Sequence, residues 1–312
     1  MATLLDYRRR IRSVKSTQQI TRAMKFVAAA KLRRAQEGVF AARPYAKEIL
    51  RVLRSAAARM EEAVHPLLAR RPEERILVLV LTGDRALCGA FNSNVIRQAM
   101  EFFGAHKGKK IEVIVVGRKG RETLRRRGYS FVGEFMDVSS HVEFSKAREI
   151  AAQAAAAYAN GEVDAVYAIY NEFKNVMVQK LRAEKLLPID PSTVQETVGA
   201  EKELAEQAGS SEPLPVQGVG PSGELLVDYI YEQPVAEIFA GLVPRYLEAE
   251  VFRILLESAA AEHAARMTAM DSATRNAREL IDKLTLQMNK IRQASITKEI
   301  IEIVSGAASA TS

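Results

Sequence analysis

The stretch Val251–Ile303, VFRILLESAAAEHAARMTAMDSATRNARELIDKLTLQMNKIRQASITKEIIEI, decides how this chain folds. In alternating steps of four and three, Leu256, Ala260, His263, Met267, Met270, Thr274, Ala277, Ile281, Leu284, Met288 and Ile291 fall on one line. That is heptad spacing, and such a seam needs a partner helix. No Pro or Gly interrupts the chain between Val251 and Ser305. About 50 residues at a 1.5 Å rise make a rod of roughly 75 Å, whereas a globular helix averages about 11–12 residues. The alternative is a long core helix of a bundle. Ala, Thr and His keep the seam narrow and favour a paired rod, with His263 in or beside it.

The partner lies at the other end of the chain. From Ile11 the same stepping gives Val14, Gln18, Thr21, Lys25, Ala28, Leu32, Ala35, Val39, Ala42, Ala46, Ile49, Leu53, Ala56 and Met60. A second apolar line through Ile20, Ala23, Val27 and Ala30 runs beside it, so Ile20 and Val27 are expected in the seam. Two terminal helices pair antiparallel if the middle folds back as a domain. Pro44 lacks a backbone donor and is expected to kink the first helix or to mark a join.

The 312 residues allow one or two domains. Aromatic content is only 6% with no Trp, which suits Ala-rich helices better than a large β core. The longest clean apolar run, Ile76–Leu81, is far short of the ~18 residues of a membrane span. The single cysteine, Cys88, excludes an internal disulfide and fits a reducing compartment. Charge is placed unevenly. Residues 1–60 hold 15 Lys/Arg against 3 Asp/Glu, whereas the rest holds 30 against 35. Over 251–305 there are 8 basic and 7 acidic residues, so the second helix does not neutralise the first. The basic face fits nucleic acid, an acidic protein surface or plain solvent; a transit peptide is disfavoured because the heptad line continues to Met60. No stacking aromatics or reader motif support nucleic acid.

Between the helices the periodicity changes. Pro66 and Pro72 punctuate a linker, and Arg75–Leu81 reads as a buried strand. Asn92–Phe103 reads as a helix, Ile111–Val116 as a strand, and Arg118–Arg127 as a basic helix closed by Gly128. Phe144–Asn160 is an Ala-rich helix, Asp164–Tyr170 a third strand and Val176–Arg182 an antiparallel edge. Alternating strands and helices imply a mostly parallel sheet with helices on its faces. Residues 190–224 hold seven acids and one Lys, and ten of the fifteen residues 209–223 are Gly, Ser or Pro. Such a segment buries little and is expected to be a mobile excursion. Leu225–Tyr231 alternates as a last strand, and Pro244 is expected to bend the chain before the long helix. The expected organisation is an N-terminal helix over 1–60, a Rossmann-like α/β domain over 61–233, and a C-terminal helix over 234–312 that pairs with the first.

Catalytic chemistry is sparse. There is no P-loop pattern. Gly83–Gly89 follows a strand but lacks the glycine spacing of a dinucleotide fingerprint. Cys88 has no His or Asn nearby in sequence for activation as a nucleophile, and four His with one Cys form no metal-ligand cluster. An enzyme with its own active site, a cofactor or a metal is not expected.

Two end motifs carry a family resemblance. RRIRSVKSTQQITRAMK at 9–25 closely resembles the opening of the gamma subunits of F-type ATP synthases. ASITKEIIEIVSGAA at 294–308 is similar to their C-terminal signature, and DRALCG at 84–89 to their central motif. The resemblance covers nearly the whole chain. It implies a central rotor shaft whose antiparallel coiled coil sits inside the ring of alternating alpha and beta subunits. Its α/β domain would stand on the membrane c-ring and against epsilon, with no nucleic acid and no membrane span. Catalytic residues and ATP belong to the ring, and the basic face would meet an acidic loop on beta. The resemblance further implies ring contacts at Met24, Lys25, Arg292, Gln293, Thr297, Glu299 and Glu302. Segment 190–224 departs from the usual short bacterial form and lacks the cysteine pair of photosynthetic members, so thiol control is not expected. The first motif begins within ten residues of Met1, which leaves no room for a transit peptide and implies the cytoplasmic face of a bacterial membrane.

Composition makes one prediction here. Replacing 190–224 by a short Gly-Ser link should alter loop-closure entropy by only about 1 kcal/mol and leave folding and assembly intact. Loss of the assembled complex on gel filtration would show instead that this segment packs against something.

Overall fold

The computed structural model describes residues 3–57, 65–189 and 232–310. Helix α1 (Leu4–Ala57) and helix α5 (Val235–Ala310) enclose an α/β unit. That unit contains β1 (Arg75–Leu81), α2 (Phe91–Ala105), β2 (Lys110–Val116), α3 (Arg118–Arg126), β3 (Phe131–Phe135), α4 (Phe144–Ala159), β4 (Ala165–Phe173) and β5 (Gln179–Leu187). No helix among the described residues is long and apolar enough to cross a membrane.

The sheet order is β3-β2-β1-β4-β5, with β5 antiparallel to β4 and the other pairs parallel. In β1, Leu77, Leu79 and Leu81 face one core with α4 and α5, while Ile76, Val78 and Val80 face another with α2 and α3. Burial on both faces explains why β1 is one apolar run with no polar alternation. β3 was not legible beforehand. It is short, holds Gly133 and buries only Phe135 fully, so its tie to β2 comes from the pairing itself. Leu225–Tyr231 and the acidic segment 190–224 lie outside the described residues.

α1 opens with a reciprocal cap. The Asp6 amide donates to Thr3 Oγ1 at 3.3 Å, and the Thr3 amide donates to Asp6 Oδ2 at 2.9 Å. The Thr3 amide and the Thr3 hydroxyl, each donating to Asp6 Oδ2 at 2.9 Å, hold the Asp6 carboxyl below its ordinary pKa. Of the two expectations for Pro44, a kink or a join, the join does not occur: α1 is one helix across Pro44, with Val39 and Ile49 buried on either side. Pro244 likewise lies inside α5, between buried Val243 and Leu247, and the helix begins before it, at Val235. Packing on both flanks offsets the one backbone bond that each proline forgoes.

The helix pair is antiparallel. Thr21 Oγ1 and Thr274 Oγ1 are 2.8 Å apart, and Lys25 Nζ lies 2.6 Å from Asp271 Oδ1. Ala28, Leu32 and Val39 of α1 are buried, as are Leu256, Ala260, His263, Met270, Ala277 and Leu284 of α5. Met267, Ile281, Met288 and Ile291 are half-buried on the same line. The second α1 line is not in the seam: Ile20 is 57% and Val27 58% exposed. The narrow, Ala-rich interface admits a single stripe of α1, and Ile20 and Val27 sit one residue off Thr21 and Ala28, roughly 100° around the helix.

The buried shaft generates two predictions. Ile281→Asp puts a carboxylate beside the seam, and since Ile281 is half-buried the cost is set at about 2–3 kcal/mol. Circular dichroism should show a lower melting temperature and a frayed rod end; an unchanged melt would reject this register. His263 is 4% exposed with no partner for Nδ1. Burial, with Arg266 and Lys31 nearby, pushes its pKa down to about 4, against a weaker opposing bond to the Ser139 backbone. The unfolded chain therefore takes up this proton first as pH falls. The stability that neutral His263 preserves is complete above pH ~6.5 and is lost as pH falls toward ~4. Between pH 7.5 and 5 the wild type should lose about 2 kcal/mol that His263→Gln does not lose, as read by urea titrations at both pH values.

Candidate functional site

Two regions bear on function: the carboxyl edge of the sheet and the free end of the shaft. In an open α/β sheet, ligands enter at the carboxyl ends of the strands, where strand order reverses. Here that point lies between β1 and β4, because the chain moves outward through β2 and β3 before returning to β4. Thr82, just past β1, donates through Oγ1 to the Val116 carbonyl at 3.1 Å and accepts from the Gly120 amide at 2.8 Å. Gly117 has φ +95, and a Cβ there would lie 2.0 Å from the Thr82 carbonyl oxygen, so only glycine fits this crossing.

The next residues, Gly83–Gly89, close the crevice against α5. Ala261 and Ala265 pack on Cys88, Phe91 and Phe173. The Glu262 carboxylate fills the space beside Gly83, where a Cβ would meet it at 2.7 Å. Arg266 pairs with Glu262 at 2.7 Å and reaches the Arg85 and Ala86 carbonyls, each at 3.4 Å. The Gly83 amide donates to Asn92 Oδ1 at 2.8 Å, and the Arg118 amide to Asp84 Oδ1 at 3.0 Å. A phosphate entering here would meet a buried carboxylate where a cradle needs free amides. Cys88 is buried, and its thiol pKa is raised by burial and by Glu262, which disfavours the reactive thiolate. Among the described residues, no group of three His, Cys, Asp or Glu is placed to hold a metal. Glu262 and Arg266 escaped sequence reasoning; their i, i+4 spacing was visible, but their contact with Gly83–Ala86 was not.

The shaft ends differently. The cross-helix contacts pair positions whose numbers sum to about 295. The first residue of α1, Leu4, therefore lies opposite position ~291, and α5 continues to Ala310 with no α1 beside it. That single-helix tip is about 19 residues, or roughly 28 Å, long. Its Ile296, Ile300, Ile301, Ile303 and Val304 are exposed, as are Arg8, Arg9, Arg10, Arg12 and Lys15 on the adjoining end of α1.

The residues singled out by resemblance separate into two groups. Arg292, Gln293, Thr297, Glu299 and Glu302 are all exposed on the tip, beginning where α1 stops. Thr297 Oγ1 donates to the Gln293 carbonyl at 3.0 Å, Ser295 Oγ to Glu299 at 3.2 Å, and Lys298 lies 3.5 Å from Glu302. Met24 and Lys25 lie about 30 Å lower, opposite Asp271. Lys25 is already engaged with Asp271, and Met24 is half-buried.

Comparison with known proteins converges on one family. A family profile described as ATP synthase matches residues 3–310. The ATP synthase gamma chain of Solibacter usitatus is 51% identical over 99% of this chain and 100% of its own length. That of Pelotomaculum thermopropionicum is 45% identical over 99% of each chain. Among solved structures, a chain of the Euglena gracilis mitochondrial ATP synthase shares the fold with a TM-score of 0.62 at 20% identity, covering 98% of this chain and 94% of its own. A central-stalk chain from Tetrahymena thermophila gives 0.56 at 23% identity, covering 81% and 99%. The end motifs, the antiparallel shaft and these matches agree: the chain belongs to the ATP synthase gamma-chain family.

Proposed function

We propose that this chain is the central-stalk rotor of a rotary ATP synthase and has no catalytic site of its own. It couples proton- or sodium-driven turning of a membrane c-ring to ATP synthesis in a ring of alpha and beta subunits, regulates ion flow, and carries epsilon at its foot. The observation that carries this reading is the asymmetry of the shaft. One end is a single exposed helix, and the other is flanked on one side by an α/β domain. Turning such an object inside a ring presents a different surface to each of three sites in succession. The crevice where an α/β domain would bind a nucleotide is filled by Glu262 and Arg266 of its own helix, which supports a mechanical role. The exposed basic end of α1 suits an acidic loop on beta. The chain acts as a peripheral protein at the cytoplasmic face of a bacterial inner membrane.

Arg292 and Gln293 are the pair we assign to ring contact. Both are exposed just beyond the point where α1 begins alongside α5, and a guanidinium offers five donors in a planar fork. A charge-assisted bond is worth about 1.5–3 kcal/mol; lost from one rotary state, it changes turnover roughly tenfold or more. The complex reassembled with Arg292→Ala and Gln293→Ala should form normally but hydrolyse ATP, and pump ions with ATP, about tenfold more slowly. Wild-type rates in both assays would return the pair to the role of a solvated face. Steady ATP hydrolysis by the purified chain alone would overturn the non-catalytic reading.

A further inference from the structure

The α/β domain and the shaft must turn as one body, and beside their shared apolar core one half-buried arginine ties them ionically. Arg253 of α5 reaches Glu184 of β5 through two bonds from Nη2, at 3.0 and 3.1 Å. It pairs with Glu250 at 2.7 Å, one turn before it, and with Glu257 at 3.1 Å, one turn after it. Its Nη1 lies 3.3 Å from the Tyr170 hydroxyl of β4, which donates to Glu184 at 2.6 Å. The Arg253 side chain is 18% exposed and Glu257 only 10%. One cation thus serves three carboxylates from a helix and a strand in a desolvated seam. Glu257 Oε2 has no partner, and burial raises the Glu257 pKa.

We propose that Arg253 is a positioning residue for coupling: its planar fork fixes the rotational setting of α5 on the sheet, so that torque passes between domain and shaft without slip. The apolar face around it, Val251, Ile254 and Leu255 against the β1 and β4 side chains, supplies affinity. Apolar burial is non-directional, however, and the following turns of α5 are mostly alanine, with longer bonds to the domain only where Arg266, paired with Glu262, reaches the Arg85 and Ala86 carbonyls at 3.4 Å. Bonds from all three guanidinium nitrogens, Nε to Glu250, Nη1 to Glu257 and Tyr170, and Nη2 to Glu184, are directional. Turning α5 by one residue, about 100°, would carry Arg253 away from Glu184. The sequence exposes half of the device, because Glu250 and Glu257 flank Arg253 at i−3 and i+4; Glu184 lies 69 positions away.

This inference rests on the rotor reading, and the test separates the two. The complete complex is reconstituted in lipid vesicles, and ATP hydrolysis and ATP-driven ion pumping are measured together. Arg253→Lys keeps the charge and the fold but loses the fork. A second variant, Arg253→Met with Glu184→Gln, Glu250→Gln and Glu257→Gln, removes the arginine and all three of its carboxylates together, which is often neutral for stability. Hydrolysis should stay within about twofold of wild type, while ions pumped per ATP should fall about twofold in the first variant and further in the second. Thermal midpoints measured in parallel expose a merely structural role, because lost stability with an unchanged pumping ratio would overturn the proposal. If the second variant does not assemble, Arg253→Lys decides alone, and a wild-type ratio in it rejects the proposal. Failure of the unmodified chain to support any pumping would count against the rotor reading itself, whatever the state of Arg253.

Discussion

Everything in this molecule depends on α1 lying antiparallel against α5. Helical stability in proteins comes mostly from a packed face and little from propensity. The contact is narrow and rich in alanine: Ala28 meets α5, and Ala260 and Ala264 meet Leu32. Close approach brings two polar contacts into the interface, Thr21 with Thr274 and Lys25 with Asp271. Such contacts add directionality to a seam whose small side chains discriminate poorly between registers. Because α1 starts at Leu4 and pairs with the region near 291, the register also decides how much of α5 remains single at its end.

The α/β domain is best understood as an attachment to that pair. Its sheet gives one face to α2 and α3 and the other to α4 and α5, so the long helix is at once shaft and domain wall. Using α5 as a wall places Glu262 and Arg266 in the crevice at the carboxyl edge, where many folds of this shape hold a ligand. Fold alone does not assign chemistry, and the space beside Gly83 is occupied by Glu262 of the chain's own helix. Arg253 fits that picture. A half-buried arginine serving three carboxylates is weak evidence for stability but a strong constraint on orientation.

Much of this was legible in the sequence. Heptad spacing exposed the α5 seam through Ile291, and charge counting exposed the basic α1. The alternation of apolar runs with Ala-rich segments exposed the parallel sheet. The end motifs fixed the family, because their residues follow one another in the chain and need no folding to be recognised. Misreadings have local causes. Ile20 and Val27 look like seam residues because they are apolar at helical spacing, yet a single α5 stripe can cover only one line of α1. Pro44 looks like a possible join and Pro244 like a point before the long helix because the cost of a missing donor is visible in sequence, whereas the packing on both sides that lets each helix run through is not.

The sequence by itself determined that the chain is a paired rod with an inserted α/β unit and which family it belongs to, since periodicity and contiguous motifs are properties of one dimension. Only the tertiary structure decided which α1 line is buried, where the second helix ends, that Lys25 is held by Asp271, and that Glu262 fills the crevice beside Gly83. Those facts join residues about 180 to 250 positions apart. No spacing rule reaches so far, because the sheet order and the antiparallel register bring these side chains together only once the whole chain has closed.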